Sequence, residues 1–170
     1  MVPGSEKNSI WLATIDSGRA TGLVVGATIT LSPTPLRANV GLVALFADRK
    51  NHVVCKLEVN HGHPAGLLAI GDEREGLTTS LLAARDEIGL VEGSSYRLEL
   101  RVPPSLADSP IVCTVSGEGM RRSRVAYRLS DAGIATYGAG TGQGLRIKIF
   151  DDEDDGRSTW DHFLVTPAGA

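Results

Sequence analysis

A chain of 170 residues with 42% hydrophobic and 22% charged residues is long enough to bury one ordinary core without support from metal or disulfide. Its net charge of −3, with basic residues scattered along the sequence, points away from a nucleic-acid surface. No apolar run reaches the roughly 18 residues that a membrane span requires. The opening MVPGSEKNSIWL lacks the basic and apolar regions of a secretory signal, so a cytoplasmic or virion-associated setting is expected if the chain is full length.

Residues 1–9 are expected to be flexible, residues 10–165 to form one domain, and residues 166–170 to be a loose tail. Ile10 to Thr14 is a short candidate strand carrying Trp11. Leu23 to Ser32 is a second, stopped by Pro33 and Pro35, which cannot donate to a ladder. Asn39 to Val59 reads as a hairpin. Val40-Leu42-Ala44-Phe46 and Val53-Cys55-Leu57-Val59 alternate on either side of Asp48-Arg49-Lys50-Asn51.

Asn60 to Pro64 makes the next turn, Gly66 to Ile70 a short strand, Gly71 to Gly76 a polar connection, and Leu77 to Ala84 another strand. A helical turn competes only at Ala83 to Gly89. Tyr96 to Val102 has the cleanest alternation, with Tyr96, Leu98, Leu100 and Val102 inward and Arg97, Glu99 and Arg101 outward. Ile111 to Val115 is expected to pair with Arg124 to Leu129. Ile134 to Tyr137, Leu145 to Phe150 and Trp160 to Val165 complete the set of strands.

Roughly a dozen short strands separated by turn residues, with 20 glycines and 8 prolines among the breaks, predict an all-β, two-sheet antiparallel β-sandwich. Cys55 and Cys113 each occupy the middle of an apolar strand pattern. Free buried thiols are the expectation, with a disulfide the less favoured alternative.

Three landmarks resemble the concanavalin A-like jelly-roll superfamily, and most closely its laminin-G-like and glucanase-like modules. They are GLVALFADRKNHVVCKLEV (Gly41 to Val59), GLVEGSSYRLELRV (Gly89 to Val102), and DAGIATYGAG followed by the closing Trp160-Asp161-His162-Phe163-Leu164-Val165. Together they cover roughly Val24 to Val165. The resemblance implies a jelly-roll sandwich and a role in glycan binding, protein adhesion or, in some members, glycoside hydrolysis.

Catalysis finds little support in the residues. Retaining glycosidases need two carboxyls about 5–5.5 Å apart. The resemblance implies a Glu-x-Asp-x-x-Glu strand for them, but here Glu153-x-Asp155 is followed by Ser158. On the cleanest strand, Glu99 shares its face with Arg97 and Arg101.

The acidic run Asp151-Asp152-Glu153-Asp154-Asp155 offers hard oxygen donors, and Asp151, Asp152, Asp154 and Asp161 are candidate ligands for a structural calcium. A solvated loop is the competing reading. His61 and His63 could share a metal but lack a visible third ligand. The glycine-rich stretch Tyr137 to Gly144 is followed by a strand pattern, not the helix that a dinucleotide site needs, so it reads as a connection.

Trp11, Tyr137 and Trp160 are the candidate stacking surfaces for a sugar, each with a core role as the alternative. Asp48 and Asn51 could bind a ligand at the hairpin tip or simply close an Asx turn. The sequence therefore predicts a non-enzymatic recognition or adhesion module, in the first place for carbohydrate, with a glycan or protein partner and without nucleic acid or membrane, and leaves open a homo-oligomer or assembly subunit. The rival readings are a structural assembly protein, such as a phage virion or tail component, and a glycoside hydrolase-like enzyme.

Overall fold

The computed structural model describes residues 9–31, 38–59, 65–74, 77–78, 81–149 and 159–168. Two antiparallel sheets pack face to face, as the alternating patterns require. The larger sheet runs β1 (Ser9–Asp16), β11 (Gly142–Ile149), β3 (Ala38–Asp48), β4 (Asn51–Val59), β5 (Leu67–Arg74) and β6 (Leu77–Thr78), with β7 (Ala83–Arg85) also pairing β5. The smaller sheet runs β10 (Ser123–Tyr127), β9 (Ile111–Gly117), β8 (Ser95–Val102), β2 (Leu23–Thr30) and β12 (Thr159–Pro167).

The core lies between the sheets. Val25, Ala27 and Ile29 of β2, Tyr96, Leu98, Leu100 and Val102 of β8, and Ile111 and Val115 of β9 come from one side. Val40, Leu42 and Ala44 of β3, Val53 and Leu57 of β4, and Leu68 and Ile70 of β5 come from the other. Each fully buried Leu or Ile contributes roughly 1.5–3 kcal/mol relative to exposure. The expected phase of β8 is therefore the observed one, with Tyr96 buried and Arg101 exposed.

Cys55 and Cys113 are joined in a disulfide, with their Cα atoms 5.6 Å apart, which corrects the expectation of free thiols. Cys55 lies opposite Leu42 and Ile70 in the larger sheet, and Cys113 opposite Leu100 and Val125 in the smaller one. Both side chains point inward from facing sheets, at a Cα separation that a disulfide spans readily.

Other segments differ from their sequence patterns. Gly71 to Arg74 continues β5, because Gly71, Asp72 and Glu73 pair with Val54, Val53 and His52 of β4. Leu77 to Ala84 is broken into β6 and β7, and the competing helical turn is absent where Ala83 to Arg85 pairs with β5. Ile134 to Tyr137 belongs to helix α1 (Asp131–Tyr137), not to a strand. Ser130 caps it by accepting the Gly133 N–H, and Asp131 suits its positive end. Thr166 and Pro167 continue β12 against Val24 and Leu23, and the Ala168 N–H donates to the Gly22 carbonyl at 2.7 Å. Part of the expected tail is thus paired backbone.

The β3–β4 hairpin forms as its sequence indicates, turning at Arg49 and Lys50, except that Leu45 and not the expected Phe46 joins the core, because the alternation shifts after Ala44. A register shift between Ala44 and Asp48 places Leu45 in the left-handed region at φ 51°, although its side chain is fully buried. This bulge tilts the hairpin tip relative to the rest of β3.

Candidate functional site

In a half-buried strand, residues out of phase with the core normally face water. On the outer face of the larger sheet they do not. Asn39 of β3, His52, Lys56 and Glu58 of β4, Glu73 of β5 and Arg146 of β11 are all buried, Arg146 at 2% exposure and Glu73 at 4%. The face is therefore a band of enclosed polar groups. Gly41, opposite both Arg146 and Lys56, and Gly71, opposite Val54, put no side chains among them.

Two ion pairs organise the band. Arg146 Nη2 donates to Glu73 Oε1 at 2.8 Å, and Lys56 Nζ to Glu58 Oε2 at 3.0 Å. Burial pulls the Arg146 guanidinium below its ordinary pKa, while Glu73 opposes the shift. Burial, followed by the charge of Arg146, also lowers Lys148. His52 is lowered chiefly by burial and then by Arg146, so it is neutral at neutral pH.

Buried polar atoms are normally hydrogen-bonded. Here Asn39 Oδ1, Arg146 Nε and both ring nitrogens of His52 have no hydrogen-bond partner among the described residues. Asn39, Lys56, Glu73 and Arg146 line a cavity of about 20 Å³, with Val54 and Gly71 as its apolar wall and Leu81 at its edge. The band thus sets the donors Arg146 and Lys56 beside the acceptors Glu73 and Glu58, around a cavity with room for about one water-sized group.

None of these six residues was singled out from the sequence. Their only signal is the polar phase of β4 and β11, which reads as a solvated face. The residues that were singled out fall elsewhere. Asp48 and Asn51 close the hairpin tip together: Asp48 Oδ1 accepts the Lys50 N–H at 2.7 Å, and Asn51 Nδ2 reaches both Asp48 oxygens at 3.1 Å. The Lys50 and Asn51 bonds hold the exposed Asp48 carboxyl below the usual carboxylate range.

Tyr137 is fully buried on α1, donating its hydroxyl to Asp72 Oδ2 at 2.6 Å and accepting from Arg74 Nε, so it offers no stacking face. Burial and the Asp72 bond raise its pKa. Trp160 sits on β12 opposite the inward-facing Ile29 and packs against the core, with its indole N–H buried. Trp11 lies on the edge strand β1, paired with Ile147. The five candidates do not share one surface.

Asp161 is exposed on β12, while Asp151, Asp152 and Asp154 lie outside the described residues, as do His61 and His63. Among the described residues, no three His, Cys, Asp or Glu side chains cluster as metal ligands would, and no helix is long and apolar enough to cross a membrane.

No family model and no curated protein matches the chain. Solved structures do. Carbohydrate-binding module CBM66 from Bacillus subtilis superposes with a TM-score of 0.61 at 13% identity, over 95% of this chain and 83% of that one. The toad ovary galectin in complex with thio-digalactose gives a TM-score of 0.56 at 8% identity, over 91% and 98% of the two chains. This chain has a concanavalin A-like jelly-roll fold.

The GH43 protein BlXynB from Bacillus licheniformis contains a similar jelly roll, matching 85% of this chain but only 27% of its own, with a TM-score of 0.56 at 14% identity. Within this jelly roll, the enclosed polar band occupies the outer face of the larger sheet, spread over β11, β3, β4 and β5.

Proposed function

We propose that the protein is a non-catalytic carbohydrate-binding module whose site is the polar band on the outer face of the larger sheet. The observation that carries this reading is the set of buried hydrogen-bonding atoms without partners among the described residues, Asn39 Oδ1, Arg146 Nε and the two His52 nitrogens, beside the Glu73–Arg146 and Lys56–Glu58 pairs. A neutral sugar presents hydroxyls that donate and accept at once, so it complements a row of this kind without adding a buried charge. Likeness in fold to a carbohydrate-binding module and to a galectin held with thio-digalactose supports the same reading.

In this reading the sugar lies against the band and inserts a single hydroxyl into its small cavity, where Arg146 and Lys56 donate, Glu73 accepts and Asn39 does both. No aromatic side chain takes part, so affinity rests on hydrogen bonds held in place by neighbouring pairs. Screening the protein against a panel of neutral mono- and oligosaccharides, followed by calorimetric titration of the hits, tests the proposal. At least one glycan is expected to bind, and Asn39→Ala and Lys56→Ala should each weaken it by about tenfold, the effect of losing one such bond. Failure of every glycan to bind, or binding untouched by both substitutions, would overturn it.

A further inference from the structure

The smaller sheet carries a second feature, on the opposite side of the sandwich and independent of the polar band. Its outer face holds a trough of about 600 Å³, within the range of natural ligand sites. Strand pairing builds it. Glu99 of β8 lies opposite Thr114 of β9, which lies opposite Arg124 of β10. Arg101 and Arg122 complete its polar lining, while Val24, Val112 and Pro167 supply apolar surface.

The sequence places Arg121, Arg122 and Arg124 close together, and the register brings Arg101 of β8 to the same trough as Arg122 and Arg124. Among the described lining residues, three arginines, Arg101, Arg122 and Arg124, face one carboxylate, Glu99, an excess of positive charge in a chain of net −3, and Arg97 flanks Glu99. Glu99 lies 3.7 Å from Arg97 and 3.9 Å from Arg122, while Arg101 and Arg124 make no ion pair among the described residues. Arg97 is itself held, donating to the His162 carbonyl at 3.2 Å and lying over Gly26, where a side chain would collide with it.

We propose that this trough binds an anionic polysaccharide, one carrying carboxylate or sulfate groups on a hydroxyl-rich chain. Arg101 and Arg124, which make no ion pair among the described residues, present guanidinium forks to the anionic groups, a geometry suited to paired hydrogen bonds with carboxylate or sulfate. Glu99 and Thr114, in the middle of the arginines, take sugar hydroxyls. Val24, Val112 and Pro167 meet the carbon faces of the rings.

Nucleic acid fits less well. Among the described residues, no aromatic side chain lines the trough to stack bases.

Titration with polygalacturonate, dextran sulfate, neutral dextran and a short DNA duplex, each at low and high salt, tests the proposal. At least one of the two acidic polysaccharides is expected to bind, the pair distinguishing carboxylate from sulfate, with affinity falling as salt rises. Neutral dextran should not bind the trough. The double variant Arg101→Ala/Arg124→Ala should weaken binding at least tenfold. Asn39→Ala, on the other sheet, should leave it unchanged, which separates this site from the neutral-glycan site. Melting temperatures establish that the variants fold, and Arg124→Gln alone serves if the double variant does not. Absence of binding by both polyanions, unchanged affinity in a folded arginine variant, or tighter binding of the duplex would overturn the proposal.

Discussion

Glu73 and Arg146 meet at 2.8 Å although two strands, β3 and β4, lie between their own strands in the sheet. Three strand spacings amount to about 14 Å, and the register row of Arg146 reaches β5 at Ala69, so the two side chains meet by lying diagonally along the sheet face. Removing one partner from a buried pair leaves the other charge uncompensated, at about 3–5 kcal/mol, whereas replacing both with apolar groups costs far less. Urea denaturation of Glu73→Ala should therefore show a loss of that size, and Glu73→Leu/Arg146→Met should recover most of it while abolishing glycan binding. A loss below about 1 kcal/mol for the single variant would mean the pair is not buried as described.

The Cys55–Cys113 bond closes a 58-residue separation and ties β4 to β9 across the core. In the chain-entropy account a loop of that length is worth about 4 kcal/mol. The double Cys→Ala variant should melt roughly 10 °C lower, and reductant should lower the wild type similarly. Thiol titration of the unfolded, unreduced protein should find no free cysteine; two free thiols would dispose of the disulfide.

His52 is neutral because burial, together with Arg146, lowers its pKa in the folded protein. An unfolded histidine titrates near 6.5, so on acidification the unfolded chain takes up the proton first. The stability that His52 contributes is thus complete above about pH 6.5 and is lost as pH falls toward the folded value. Comparing urea midpoints at about pH 7 and about pH 5 should show a smaller drop for His52→Gln than for wild type. Equal drops would show that the imidazole is already protonated, or exposed, in the folded state.

Gly140 packs directly on the left-handed Leu45 of the β3 bulge, and a Cβ at Gly140 would run into the Leu45 carbonyl and lie 2.8 Å from the Phe46 carbonyl carbon. Backbone cannot swing aside as a side chain can. Gly140→Ala should cost about 1–3 kcal/mol in urea denaturation, and a neutral result would mean that the bulge is free to move.

The legible parts of this fold are those set by neighbours in sequence. YRLELRV alternates over its whole length, and the hairpin from Asn39 to Val59 carries its own turn, so both elements and their inward phase follow from local pattern, save at the bulge, where Leu45 takes the place expected for Phe46. Ile134 to Tyr137 misleads because a short apolar stretch fits a strand or a helix equally; the Ser130 cap decides it.

The rest depends on which strands lie side by side or face to face. The inward phase of Cys55 and Cys113 is readable, but their alignment across two sheets is not. Likewise the polar phase of β4, β5 and β11 reads as a wet surface. Only the packed sheet reveals that His52, Glu73 and Arg146 are enclosed together, and only the β8–β9–β10 register collects Arg101 and Arg124 around Glu99.

The bond between β4 and β9 also governs how the protein would respond to tension. Pulled from its two ends, the chain can pay out β1, β2 and β3 on one side and β10, α1, β11 and β12 on the other, but not the segment from Cys55 to Cys113. At about 3.5 Å per residue, that hides roughly 200 Å of contour length. The hidden segment contains the whole of β5 and β8, so both Glu73 and the Arg97-Glu99-Arg101 row stay inside a covalently closed ring while the flanking strands are stripped away.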